Sequence, residues 1–433
     1  MADAPVRSRT PRRRLTALGT MAVLSLAAVL PTACASQAGE PTSQAKPVTP
    51  VTTAAPTTLP PVTLPPAPKV PAVTTVPLVP SATPSVHLTP PVVPSAGAGP
   101  NLQEVAGERV IYSYTGLTPP AALLTIIRSG DAAGVIFFSD NISSEAQIST
   151  VIKQLDQAQQ ASPVHLPLLL MTDQEGGEVR RLPGAPLLSE KQIGESSDPQ
   201  TQATDAGTSA AQNLASVGMN VNLAPVLDVF YQTGNFIDQF QRSYSSDPNT
   251  VSTLGSAFIT AQQAGGVAAT AKHFPGLGSA TTNQDTDAGP VTLPISLTQL
   301  RGTDEVPYQA AIAAGVKLIM VSWAVYPALD ATRPAGLSPV VVQQELRQRF
   351  GYTGVTITDA LEAGALNSYG TTSQRALDAA LAGMDLLLCS SGQVSQGQDA
   401  AASLATSLSN GTLPQPAFAA AVNRVNALRA SLS

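Results

Sequence analysis

Apolar and polar positions fall into three regimes along this chain. A mainly apolar stretch, Leu15 to Leu30, follows Arg7, Arg9, Arg12, Arg13 and Arg14. From Ala35 to about Pro100, Val, Ala and Leu are scattered among Pro and Thr without any period. Beyond that, short apolar runs alternate with segments in which apolar residues recur every three or four positions. The runs predict eight strands: Arg109–Tyr112, Gly134–Phe138, Leu166–Met171, Val221–Ala224, Val267–Ala271, Lys317–Val321, Gly354–Thr358 and Asp385–Leu388. The periodic segments predict helices, among them Ile148–Gln159, Thr204–Val217, Val341–Phe350 and Arg375–Ala382. Strands that are apolar throughout are buried on both faces, as in parallel sheets. Strand–helix alternation around a whole circuit favours an α/β fold of the (β/α)8 TIM-barrel type. An open doubly wound sheet is the alternative, and no Gly-rich dinucleotide or phosphate loop follows the first strand to support it.

The first hundred residues predict no core. Basic residues, an apolar run too short to span a bilayer comfortably, and Pro31-Thr32-Ala33-Cys34 read as a signal peptide over residues 1–33. Ala33-Cys34 followed by Ala35-Ser36 looks like a bacterial lipoprotein cleavage site, with Cys34 as the lipidated residue and the protein anchored to the outer face of the bacterial cell membrane. The alternative is an ordinary secretory signal in which Cys34 is incidental. Residues 34–100 read as a Pro/Thr-rich tether favouring polyproline II, with a fully extended reach approaching about 200 Å. Residues 101–433 are left as the barrel domain.

Charge and cysteine content narrow the chemistry. Residues 1–100 hold 7 of the 23 basic and 2 of the 29 acidic residues, so the remainder carries −11. A domain so acidic, with no basic stripe, repels phosphate backbones, and nucleic acid is not an expected partner. With two cysteines, one of them Cys34, no disulfide framework forms, and Cys389 at the end of an apolar run reads as a buried core thiol. His87, His165 and His273 are scattered too widely for a zinc cluster of His and Cys ligands. No metal or cofactor is expected, and the chain is expected to be a monomer.

Reactive side chains gather at the ends of the apolar runs, where barrels carry their chemistry. In Gly354-Val355-Thr356-Ile357-Thr358-Asp359-Ala360-Leu361, Asp359 reads either as a nucleophile at the barrel mouth or as the N-cap of the next helix. In Ala271-Lys272-His273-Phe274-Pro275-Gly276-Leu277-Gly278, Lys272 and His273 point to opposite faces of a regular strand, so both serve one ligand only where the backbone turns. The other reading is a Lys paired with a structural carboxylate and a His capping a carbonyl. Gly176 and Gly177 permit positive φ or close approach to a ligand. Trp323, the single tryptophan, reads as a ring that stacks on a ligand or, at least as often, as core.

These segments, with Met171-Thr172-Asp173-Gln174-Glu175-Gly176-Gly177, resemble the single-domain β-N-acetylglucosaminidases of glycoside hydrolase family 3, from about Gln103 to the C-terminus. The resemblance implies a retaining hydrolase that releases terminal GlcNAc from peptidoglycan fragments or related β-glycosides. Within it Asp359 corresponds to the covalent nucleophile, and Asp173, Arg181, Arg242, Lys272 and His273 to the groups that bind hydroxyls of the non-reducing sugar. Arg180 is the neighbour most easily confused with Arg181.

One position departs from that pattern. The recycling enzymes carry an Asp-x-His dyad on the loop after Lys-His-Phe-Pro-Gly, and its His is the acid/base. Here that stretch reads Thr281-Thr282-Asn283-Gln284-Asp285-Thr286-Asp287, and no histidine follows His273. An ungapped match puts Asn283 and Asp285 on the dyad; a two-residue gap puts Asp285 and Asp287 there. Neighbouring carboxyls raise one another's pKa, so Asp285 or Asp287 suits the acid role. The rival readings are a non-catalytic sugar-binding lipoprotein, a phosphorylase, and a β-glucosidase; the last is disfavoured because such relatives draw their acid from an additional domain.

Overall fold

The computed structural model describes residues 101–432; the signal-peptide, Cys34 and tether readings lie outside the described residues. Eight parallel strands close a barrel: β1 Val110–Tyr112, β2 Gly134–Ile136, β3 Leu169–Thr172, β4 Val221–Asn222, β5 Ala268–Phe274, β6 Leu318–Val321, β7 Val355–Ala360 and β8 Leu386–Leu388. Each strand pairs with its chain neighbours and β8 closes on β1. Helices follow the strands, and the (β/α)8 barrel is the fold of this domain.

Alternation along each strand divides the core in two. Ile111, Ile136, Leu169, Met171, Val221, Leu223, Ala268, Leu318, Met320, Val355, Ile357, Leu386 and Leu388 fill the interior. Their neighbours, such as Val110, Tyr112, Val135 and Leu170, face outward onto helix residues including Leu123, Ile148, Leu155 and Leu214. Burial on both faces is why these strands read as continuous apolar runs.

The strand ends differ from the sequence expectation for identifiable reasons. β3 begins at Leu169, not Leu166, because Pro167 has no N–H to give a ladder and the carbonyls of Leu166 and Pro167 accept from the buried Arg429. β1 and β8 start one residue late: Arg109 turns its guanidinium onto the carbonyls of Met384 and Asp385. β5 runs three residues further than expected, through Lys272 and His273 to Phe274. Helices Pro199–Val217 and Pro248–Ala264 both open on Asp-Pro, with Asp198 and Asp247 accepting first-turn N–H groups. Val340–Arg349 winds with π-type turns where an ordinary helix was expected.

The barrel floor is closed by the C-terminal helix Gln415–Ala430, which periodicity alone did not single out. It sends Val425 and Leu428 into the barrel interior. Its Arg424 meets Asp385 at 2.7 Å, and Arg347 meets the same carboxylate at 2.5 Å. Asp385 is buried and also accepts from Thr356 N–H at 2.9 Å. Removing a buried carboxylate from two arginines is costly because it strands their charge. Asp385→Ala should therefore lower unfolding free energy by about 3 kcal/mol, read by urea denaturation. A loss within about 0.5 kcal/mol, the range of ordinary surface substitutions, would show that the floor does not rest on this pair.

Candidate active site

The alternation that fills the barrel also places reactive groups at its mouth. Asp173 lies two residues beyond Met171, Asp359 two beyond Ile357, and Ser390 two beyond Leu388; Met171, Ile357 and Leu388 all face inward. Lys272 keeps the same phase on β5 as Ala268. These four residues line a pocket of about 520 Å³ at the carboxyl ends of the strands, floored by Ile136, Leu223, Met320 and Leu388. That volume suits a small polar ligand.

His273 is out of phase yet lines the same pocket. Register between β5 and β6 shifts between Ala271 and Phe274, and a shift of this kind re-aims a side chain. The Lys272–His273 and Phe274–Pro275 peptides are cis. His273 does not cap a backbone carbonyl. Its Nδ1 lies 2.8 Å from Oδ2 of the fully buried Asp228, leaving Nε2 as the ring nitrogen for a ligand. Asp228 Oδ1 also accepts Leu277 N–H at 2.7 Å, so one carboxylate orients the imidazole and the start of the following loop.

Lys272 carries out both of the roles the sequence left open. Its ammonium lies 2.7 Å from Asp173 Oδ1 and 2.8 Å from Glu175 Oε1, and it lines the pocket. Arg242 binds Glu175 through Nε and Nη2, both at 2.8 Å. Burial disfavours the charge of Glu175, but Arg242 and Lys272 outweigh it and bring its pKa down to about 2. Burial likewise works against Lys272, and Asp173 and Glu175 hold its pKa above the usual lysine value. A charged, hydrogen-bonded floor thus stands ready at one end of the pocket, with Asp173 Oδ2 free to accept hydroxyls.

Arg181 lines the pocket while Arg180 does not: Arg180 donates to the carbonyls of Gly177 and Gly184. The Arg181 side chain has no partner among the described residues, and its Nε is buried and unsatisfied. Gly176 and Gly177, at φ 123° and 57°, supply the tight turn that carries Arg181 back toward Asp173.

Asp359, next to last in β7, has Oδ1 accepting its neighbour's N–H at 2.8 Å, and Oδ2 bonds no donor among the described residues. Trp323 is core: it is fully buried, and its Nε1 donates to Ala360 O at 2.8 Å, bracing the strand behind Asp359. Cys389 is buried as expected.

The loop after β5 brings Asp285, Thr286 and Asp287 into the pocket and leaves Asn283 outside it, exposed. It docks on the segment beyond Asp359, where Gly364 N–H donates to Asp287 O and Ala365 N–H to Thr286 O, each at 2.9 Å. A Cβ on Gly364 would lie 2.5 Å from Ala288 O, so only glycine permits this approach. Asp285 Oδ1 accepts the N–H of Asp287 at 2.9 Å. Although Asp287 has substantial exposed surface, it sits in a concavity that strips water from its carboxyl. That desolvation, then the charges of Asp359 and Asp285, push its pKa up to about 6.

Three contributors escaped the sequence reading. Glu175 was legible in principle, since it lies two residues beyond Asp173. Asp228 follows the β4 run at a distance that Ala224-Pro225 obscures. Glu362, one turn past Asp359, lines the pocket while binding Ser390 Oγ at 2.6 Å and Gln396 at 3.0 Å. Among the described residues no group of His, Cys, Asp and Glu is arranged to hold a metal ion.

Known proteins resemble this chain in sequence and fold. Residues 109–428 match the model of the glycosyl hydrolase family 3 N terminal domain. An uncharacterized secreted glycosyl hydrolase of Arthroderma benhamiae is 46% identical over 330 residues, covering 76% of this chain and 93% of that protein. The solved family 3 β-N-acetylglucosaminidase of a Paenibacillus species is 31% identical with a TM-score of 0.72, over 76% of this chain and 62% of that one. The β-N-acetylhexosaminidase of Beutenbergia cavernae is 30% identical with a TM-score of 0.69, over 76% and 98%. The chain spans less than two thirds of the Paenibacillus enzyme and nearly all of the Beutenbergia one. A barrel with this pocket, matched over most of its length by these relatives, belongs to glycoside hydrolase family 3.

Proposed function

We propose that this protein is a retaining β-N-acetylglucosaminidase that removes terminal GlcNAc from β-glycosides, with peptidoglycan fragments as its natural substrates. One observation carries the reading: a carboxylate near the end of β7 shares the pocket with a second carboxyl of raised pKa, on a loop held by two backbone hydrogen bonds to Gly364 and Ala365 just beyond the first. Two carboxyl groups, one ionised and one protonated near neutrality, are what retaining glycoside hydrolysis requires. The name of the Paenibacillus relative supports N-acetylglucosamine as the sugar, and that of the Beutenbergia relative supports an N-acetylhexosamine.

The sugar's hydroxyls bind Asp173, Arg181, Lys272, His273 and Arg242. Asp359 Oδ2 attacks the anomeric carbon, and the carbon–oxygen bond to the leaving group breaks. Asp287 gives its proton to that oxygen and Asp285 orients it. Asp287, now a carboxylate, takes a proton from water, and the hydroxide oxygen displaces Asp359 to release the sugar with its β configuration. Asp285, Asp287, Asp359 and Glu362 on the acceptor side repel phosphate and favour water.

The protein is further proposed to act outside the cell as a monomer, exported and tethered by a lipid on Cys34. The secreted description of the Arthroderma relative supports export. Cys34→Ala should move the protein from the detergent-extracted membrane fraction to the soluble one; wild-type protein that is already soluble and lipid-free by mass spectrometry contradicts the anchor.

Asp359→Asn should fold normally and lose at least about a thousandfold in kcat, the scale expected when a covalent catalyst is removed. A 2-fluoro sugar inactivator should label the peptide containing Asp359. Labelling at Asp173 or Glu175 would reassign the nucleophile.

Asp287 must hold a proton to act as acid, so turnover of a disaccharide should fall as pH rises through about 6. Asp287→Ala should abolish that limb. It should also cost about a hundredfold more on the disaccharide, whose alkoxide leaving group needs a proton, than on a nitrophenyl glycoside. Equal losses on both substrates, or an unchanged pH profile, would place the acid elsewhere.

A further inference from the structure

The pocket rim carries a feature that the chemistry above does not use. Of the five large apolar side chains exposed among the described residues, Phe240 lines the pocket, and Leu187 and Leu188 belong to a neighbouring segment. Their two segments are tied by Ser189 Oγ donating to Gln241 Oε1 at 3.0 Å and Lys191 N–H donating to Gln241 O at 3.2 Å. Phe240 is 43% exposed, lines the pocket, and packs edge-on against the buried Phe236 at 6.1 Å between ring centres. Folding gains little from so open a ring, and an exposed aromatic ring at a cleft marks a binding surface.

The ring is also held rigidly. It ends the short turn Asp238–Phe240, whose Asp238 carboxylate accepts from Lys191 Nζ at 2.7 Å and Gly234 N–H at 2.6 Å. Gln241 follows at φ 56°, the one positive φ outside glycine among the described residues, so the chain accepts an unfavourable conformation to turn the ring outward and Arg242 inward. Gln239 Nε2 donates to Thr282 O at 3.0 Å, and Thr282 Oγ1 donates to Gly234 O at 2.9 Å. The turn is therefore fastened to the loop that carries Asp285 and Asp287.

An acid must stand beside the oxygen it protonates, so the leaving group departs on the side of that loop. We propose that Phe240 is the platform for the leaving-group sugar and stacks on the apolar CH face of its pyranose ring. The proposal rests on the glycosidase reading and adds a second subsite to it, one that selects ring-bearing aglycones over small ones. Arg242 and Phe240, two residues apart, then serve the two sugars on either side of the scissile bond.

The test compares kcat/KM on a β-1,4-linked GlcNAc disaccharide with kcat/KM on methyl β-GlcNAc, which has no ring to stack. In Phe240→Ala the disaccharide-to-methyl ratio should fall about tenfold, the scale of an aromatic stacking contact, and Phe240→Trp should hold it near wild type. An unchanged ratio in the alanine variant of an active enzyme would overturn the platform and leave the glycosidase reading intact. Equal losses on both substrates, in both variants, would make the ring structural and overturn it as well. Wild-type protein that turns over neither substrate would overturn the glycosidase reading and the platform with it.

Discussion

Closure of the barrel is the constraint on which the rest depends. Once eight parallel strands pair edge to edge, every second side chain must enter a sealed interior, and only the last inward position of each strand opens to water. Although the neutral Thr270 is buried deeper in β5, charged residues within the strands stand on that phase only near the mouth. Asp173, Lys272, Asp359 and Ser390 occupy it, which is how residues more than two hundred positions apart come to share a pocket of sugar size.

Gathering charge there would destabilise the domain if it were left unpaired. Glu175 resolves this at one end by joining Lys272 and Arg242 into a single buried network, with hydrogen bonds satisfying both cations. At the other end the opposite choice is made. Asp359, Asp287, Asp285 and Glu362 share the pocket without an ion-paired arginine or lysine among the described residues, and their charges add to desolvation in raising the pKa of Asp287. One pocket thus contains a compensated half suited to holding hydroxyls and an uncompensated half suited to moving a proton. The raised pKa of the loop carboxyl comes first from its desolvation and then from the neighbouring charges of Asp359 and Asp285.

Much of this was legible in the sequence, because the fold's signal is local. All eight strands are apolar runs, and Asp173, Lys272, His273 and Asp359 end or adjoin them. The site residues named from motifs, Arg181 and Arg242 included, lie in or around the pocket. What stayed hidden depends on contacts between distant segments. Nothing near Leu166 announces that its carbonyl serves Arg429, and no period in Gln415–Ala430 shows that Val425 and Leu428 plug a barrel. That Asp287 rather than Asn283 lines the pocket goes with the docking of the loop on Gly364, a contact between residues about eighty positions apart. Asp228 was missed because its partner, His273, comes from the next strand.

The central claim is that Asp359 forms a covalent bond to the sugar while a loop carboxyl manages the proton, and the anomer first released tests it most directly. Two successive displacements at one carbon restore the starting configuration. Proton NMR of a fresh reaction on a β-GlcNAc glycoside should show the β-anomer of free GlcNAc before the α-anomer appears by mutarotation. Initial release of the α-anomer would mean a single displacement by water, and would contradict a covalent role for Asp359.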